Sequence, residues 1–169
     1  MSKTTGARGG PAGFWPIGGY RISFRRDGRW YADDEPIENR KIAKLFSQHV
    51  CRDEDGAWQI DLGVDRQRVE VEDTPLVVVS VDGDPDRGFT VRANDDISSP
   101  LDCSTLCVGE DHVLYCQLDR GERGMLPARL LRPAYYQLAA WIEEGPEGPE
   151  LPCRGRRYPL RPCPGASPA

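Results

Sequence analysis

The sequence predicts an α+β protein made of two small repeated units, each a curved antiparallel sheet carrying one packed helix. Three observations predict it. Short stretches of alternating apolar and polar residues recur between Gly, Asp and Pro turns, as in half-buried strands. Only two segments show the apolar spacing of an amphipathic helix, Ile42 to His49 and Leu131 to Ile142. The order strand, turn, strand, helix, polar turn, strand is met twice, once around each of those helices.

The chain has 169 residues, 38% hydrophobic and 29% charged, enough for one fair core or two small ones. In the first unit, placed at residues 20–68, Ile22 and Phe24 alternate with Ser23 and Arg25 as a strand. Asp27-Gly28 is a hairpin signal, and Trp30 and Ala32 lie on the return strand. Pro36 opens a turn, after which Ile42, Leu45, Phe46 and His49 form one helical stripe. His49 on that apolar face reads as a satisfied core histidine. The polar run Arg52 to Gly56 precedes a strand holding Trp58 and Ile60.

The second unit is placed at residues 69–160. It opens with an acidic strand, in which Val69 and Val71 alternate with Glu70 and Glu72. The apolar run Leu76 to Val79 follows, as in a strand buried on both faces. Phe89 to Ala93 makes a hairpin with it across Asp82-Gly83-Asp84-Pro85. Val113 to Leu118 and Met125 to Ala128 flank the turn Asp119-Arg120-Gly121, and Pro133 suits the start of a helix over 132–143 that Gly145 stops. Arg154-Gly155-Arg156 is the polar turn before Tyr158 and Leu160. Residues 1–19 and 161–169 are rich in Gly, Pro, Ser and Ala, lack periodicity and are expected as disordered tails.

Several function classes are excluded or demoted. No apolar stretch is long enough to span a bilayer and no signal-peptide core is present, so a cytoplasmic protein without membrane insertion is expected. A net charge of −5 with one short basic run, Arg154 to Arg157, argues against a nucleic-acid partner. The six cysteines, Cys51, Cys103, Cys107, Cys116, Cys153 and Cys163, include no CxxC pair. Zinc is therefore poorly supported, and free thiols in a reducing cytosol are expected, with Cys116 buried in its strand. There is no Walker loop, GxGxxG turn or GxSxG elbow, and no catalytic residue, metal or cofactor is assigned.

Two polar clusters carry the remaining chemistry. Glu70 and Glu72 share one face of their strand, about 6.5–7 Å apart. Arg92, Asn94, Asp95 and Asp96 form the second cluster, and hairpin pairing would bring Arg92 near the acidic strand. Salt bridges on a wet face and a ligand site remain alternatives here. Tyr135 lies on the apolar stripe of its helix, whereas Tyr136 faces away and is placed to border a cleft.

The segments "EPIENRKIAKLF", "CRDEDGAWQI", "RVEVEDTPLVVV", "RANDD" and "LLRPAYYQLAAWI", in this order, resemble the uncharacterised bacterial family known as domain of unknown function 1285. The resemblance covers nearly all of Tyr20 to Leu160. It implies two repeated α/β domains, the C-terminal one a pleckstrin-homology-like barrel, with a ligand at their interface. A nucleotide-like ligand and a signalling role are suggested for the family, and no reaction is known. The resemblance marks Glu38, Asn39 and Arg40, then Glu70, Glu72 and Asp73. It also marks Arg92, Asn94, Asp95 and Asp96, and finally Arg132, Tyr135 and Tyr136. The connection Ile97 to Asp111, with Cys103 and Cys107, departs from the family's usual one. The expected function is binding of a small anionic or nucleotide-like ligand, with Arg92 and Arg132 as grips and Glu70, Glu72 and Asp95 as acceptors. The alternatives are a protein-interaction module and, less favoured, a hydrolase holding a divalent metal on Glu70, Glu72 and Asp95.

Overall fold

Alternating strands and tight polar turns build most of the molecule, and the computed structural model describes residues 19–165. The expected tail segments 1–18 and 166–169 lie outside the described residues. In chain order come β1 (Ile22–Phe24), β2 (Trp30–Ala32), β3 (Glu35–Pro36), α1 (Arg40–His49), β4 (Val50–Arg52), β5 (Trp58–Asp61), β6 (Arg66–Arg68) and β7 (Glu70–Val71). Then follow β8 (Leu76–Asp84), β9 (Gly88–Ala93), β10 (Ser98–Pro100), β11 (Cys107–Val108), β12 (Leu114–Asp119) and β13 (Met125–Leu130). The last elements are α2 (Arg132–Ala139), β14 (Glu143–Gly145), β15 (Gly148–Cys153), β16 (Arg156–Pro159) and β17 (Arg161–Pro162).

The mixed α+β class holds, with the strands in four sheets. The first is β3-β2-β1-β7 and the largest is β10-β9-β8-β13-β12-β11-β17. β4-β5-β6 and β14-β15-β16 are small meanders following α1 and α2 respectively. The large sheet ends in two edges, β10 and β17, and among the described residues no sheet closes into the barrel expected for the second unit. Nor are the sheets purely antiparallel. β7 returns parallel to β1, β17 parallel to β11, and β8 lies parallel to β13, because each of these partners is reached only after a crossover. The acidic strand, expected to open the second unit, is β7 and belongs to the first sheet. The two halves run in the same order: β1-β2-β3, helix, meander and β7, then β11-β12-β13, helix, meander and β17.

Local chemistry explains most element ends. Asn39 Oδ1 accepts from the N–H groups of Lys41 and Ile42, so it caps α1. The apolar stripe of α1 buries Ile42 and Phe46, and the Trp30 ring stands edge-on to Phe46 at 5.6 Å. α2 stops at Ala139, four residues short of the expected end. Trp141 and Ile142 close on Leu138 and Ala139 carbonyls in tight turns, and Glu143 begins β14. The apolar run Leu76 to Val78 is fully buried, flanked by β9 and β13. α2 is tied to β8 where Val81 N–H donates to Gln137 Oε1 at 2.7 Å.

Residues 161–165 are not a loose tail: Arg161 and Pro162 pair with β11, and Cys163 is disulfide-bonded to Cys107. The expectation of free thiols throughout fails at this pair, because the β11–β17 pairing brings the two Cα atoms to 4.8 Å. Cys51, Cys103, Cys116 and Cys153 are free.

Candidate functional site

Three cavities lie where the halves meet or adjoin, and the expected site residues are divided among them. A groove of about 360 Å³ is lined by Arg26 from the turn after β1, by Asp111, His112 and Val113, by Arg129 to Arg132, and by Tyr135 and Tyr136. A neighbouring cavity of about 560 Å³ shares Arg26, Asp111, Val113 and Arg129 and adds Asp73, Tyr115 and the Cys107–Cys163 bridge. A third, of about 570 Å³, lies beside α1 and is lined by residues including Arg29, Glu38, Arg40, Lys44 and Asn94.

Arg129 lines both of these first two cavities, and the second has a built floor. The Tyr115 hydroxyl donates to Asp73 Oδ2 at 2.8 Å, and Arg129 Nη1 donates to the same oxygen at 2.8 Å. Burial and then the bond to Asp73 push the Tyr115 pKa above its ordinary value. The Tyr115 ring lies against Gly109, where a Cβ would stand 2.5 Å from Cε2. Arg26 leans on Glu72, whose Oε1 accepts the Arg26 backbone N–H at 2.9 Å and whose Oε2 lies 3.4 Å from Nε. The side chains of Arg132 and His112 make no hydrogen bond or ion pair with any described residue. Tyr136 is 63% exposed, and its ring meets Tyr135 edge-on at 5.5 Å. Asp111 and His112 both sit in the left-handed region, with φ of 56° and 62°, a conformation that non-glycine residues hold only under constraint. α2 starts at the groove with no side chain capping its N-terminus.

The remaining expected residues do other work. Asp95 is fully buried and is gripped at both oxygens by Arg120, at 2.7 and 3.1 Å. Arg123 Nη2 also donates to Asp95 Oδ2 at 2.9 Å, while its Nη1 reaches the Ser47 carbonyl of α1 at 2.9 Å. Asp95 is thus a strut joining the halves, out of a ligand's reach. Asn94 is a second strut: its Oδ1 accepts from Val77 N–H and its Nδ2 donates to Ser47 Oγ. Arg92 pairs with Asp96 at 3.5 Å, and Asp96 also takes Lys44 at 3.3 Å, so Arg92 does not approach the acidic strand. Glu70 sits on the exposed edge at 3.7 Å from Arg21. Asn39 is occupied as a helix cap.

Arg132 lines the first of these cavities, whereas Arg92 lines none of the three. Glu70, Glu72 and Asp95 do not converge either, and among the described residues no group of three His, Cys, Asp or Glu side chains could hold a metal ion. Arg132 and Tyr136 share a groove, and Asp73 lines its neighbour. Arg26, His112 and Arg129 complete the lining and were missed; the Arg25-Arg26 pair beside the Asp27-Gly28 turn and the spacing of Arg129 and Arg132 were the available signals. Among the described residues no helix is long and apolar enough to cross a membrane.

Residues 16–74 match a family model described as Domain of unknown function (DUF1285), N-terminal domain. Two similar solved structures share this fold. A DUF1285 family protein from Silicibacter pomeroyi DSS-3 is 22% identical with a TM-score of 0.65, the match covering 82% of this chain and 78% of that one. A duf1285 family protein from Shewanella baltica OS155 is 25% identical with a TM-score of 0.57, covering 72% and 91% respectively. No curated protein matches.

Proposed function

The chain belongs to the DUF1285 family, and on that premise we propose that it binds a small anionic, nucleotide-like ligand in the groove between the first hairpin and α2. The observation that carries this reading is Arg132 at the mouth of that groove, a guanidinium with no hydrogen-bond or ion-pair partner among the described residues, beside the Tyr136 ring. A guanidinium presents paired N–H donors to a phosphate or carboxylate, and an exposed phenol ring offers a stacking face for a planar group. Arg26 and the uncapped start of α2 add positive potential on the same side. The left-handed Asp111-His112 pair holds an imidazole at the rim.

A binding site of this kind suits a sensor or regulator. We read the molecule behind it as a duplication of one unit, spanning 22–71 and then 107–162, with β8, β9 and β10 extending the second sheet. The matched strand order around α1 and α2 supports that reading.

Thermal-shift titrations with inorganic pyrophosphate, nucleoside monophosphates and cyclic nucleotides test the proposal. A ligand at a hundred times its Kd should stabilise the protein by about 2.7 kcal/mol. Arg132→Ala, which removes no hydrogen bond or ion pair to a described residue, should weaken binding roughly ten- to hundredfold. No shift with any anion, or unchanged affinity in that variant, removes the proposal. A second reading is a protein-binding face on α2 and its C-terminal turn, where Tyr136 and Trp141 are 63% and 40% exposed. Capture of a peptide lost on Trp141→Ala, with no response to small anions, would favour it.

A further inference from the structure

The C-terminal strand is thinly held. β17 is two residues long, both exposed, and among the described strands it pairs only with β11, itself two residues long. One of the two is Pro162, which has no N–H to give the ladder. Beyond the strand pairing, the Cys163 N–H donates to the Val108 carbonyl at 2.9 Å, and the Cys107–Cys163 bond is the covalent tie. That tie is also part of a cavity wall. Cys107, Cys163, Pro164 and Gly165 line the cavity of about 560 Å³ that holds Asp73, Tyr115 and Arg129. Cys107 lines a second cavity as well, of about 540 Å³, with Arg161, Pro162 and Pro164. Both cysteines are only half-buried, so the cavities give a small thiol access to the bond. β11 leads directly into Gly109, whose missing side chain admits the Tyr115 ring, so the position of β11 sets how that ring is covered.

We propose that the Cys107–Cys163 bond is a reversible redox latch. A low-molecular-weight thiol such as glutathione reduces it, and β17 with residues 163–165 then leaves the sheet edge and opens the cavity holding Tyr115. The small thiolate attacks one protein sulfur, forming a mixed disulfide and expelling the other cysteine as a thiolate. A second small thiolate attacks the small-molecule sulfur of that mixed disulfide and expels the remaining cysteine. Two small thiols are oxidised to one disulfide, the protein bond is reduced, and the two protons end on Cys107 and Cys163. What then holds β17 is a two-residue pairing with one proline in it, shorter than strands that persist on their own. The rest of the large sheet, with β8 and β13 at its centre, keeps its partners. The latch does not rest on the anion groove proposed above, which neither cysteine lines.

The test uses the full chain, incubated across a series of glutathione redox ratios, alkylated without denaturant, and mapped by peptide mass spectrometry. The expected result is a Cys107–Cys163 cross-linked peptide at oxidising ratios, two alkylated cysteines at reducing ones, and recovery of the cross-link on reoxidation. Hydrogen–deuterium exchange on the same samples reads the strand. Reduction should speed exchange across residues 107–109 and 160–165 by about tenfold or more and leave α1 and β8 unchanged. Cys163→Ser should show the fast exchange at every ratio, and the reduced wild type gives the same comparison without a substitution. Cys107 and Cys163 recovered as thiols at the most oxidising ratio overturn the proposal. So does unchanged exchange after reduction. Faster exchange throughout α1 and β8, with alkylation of the buried Cys116, also overturns it, because the bond is then a staple of the whole fold.

Discussion

At the residue scale, the same side-chain types serve as struts in one place and face a groove in another. Asp73 accepts from Tyr115 and Arg129, and Asp95 accepts from Arg120, Arg123 and the Ile97 N–H. Asp95 has no exposure, whereas Asp73 lines a cavity. Charge patterning cannot separate these cases, because the arginines that neutralise Asp95 lie 25 and 28 residues away and their proximity exists only after folding. Tyr115 gives the residue-level test of the floor of the neighbouring cavity. Its raised pKa means that the neutral phenol is favoured in the folded state. The stability it contributes is therefore present below the ordinary tyrosine range near about 10 and is lost as pH rises through the higher folded value. In an alkaline titration followed by phenolate absorbance, Tyr115 should ionise late, and Asp73→Asn should bring it earlier. A Tyr115→Phe control assigns the transition.

At the scale of elements, polar turns and periodicity carried most of the information. The Asp27-Gly28 hairpin, the stripe of α1, the buried run of β8 and the Arg154-Gly155 turn are where the residues place them. Asn39 shows how a local rule can be overlooked. An Asn three positions before Ile42, at the head of an apolar stripe, is the usual sign of a helix cap, yet it also fits a list of ligand-binding residues. Asn39→Ala should cost about 1 kcal/mol in a urea titration and leave ligand affinity unchanged. A loss of affinity without loss of stability would return Asn39 to the site. Strand partners were less legible, since β7, β13 and β17 take parallel neighbours set by crossovers and not by adjacent sequence. The Cys107–Cys163 bond depends on one of those pairings, so a separation of 56 residues could not reveal it.

At the scale of the molecule, the halves share one continuous core that runs from Ile22 and Phe46 to Leu138 and Leu151. Gly28 sits on the seam with φ +82°, and an added Cβ there would come within 3.0 Å of Val77 Cγ2 and 3.3 Å of Leu131 Cδ1. Gly28→Ala should destabilise by about 1–3 kcal/mol, through both the backbone conformation and the crowding. Chemical denaturation should show a single transition moved to lower denaturant; a second transition would mean that the halves unfold separately. The Cys107–Cys163 bond has a further consequence for chain topology. It turns β12, β13, α2 and the β14-β15-β16 meander into a covalent ring that opens only by cleavage or reduction. A ring of this size removes about 4 kcal/mol of unfolded-chain entropy. A single peptide-bond cut anywhere between residues 108 and 162 leaves the whole protein one covalent molecule.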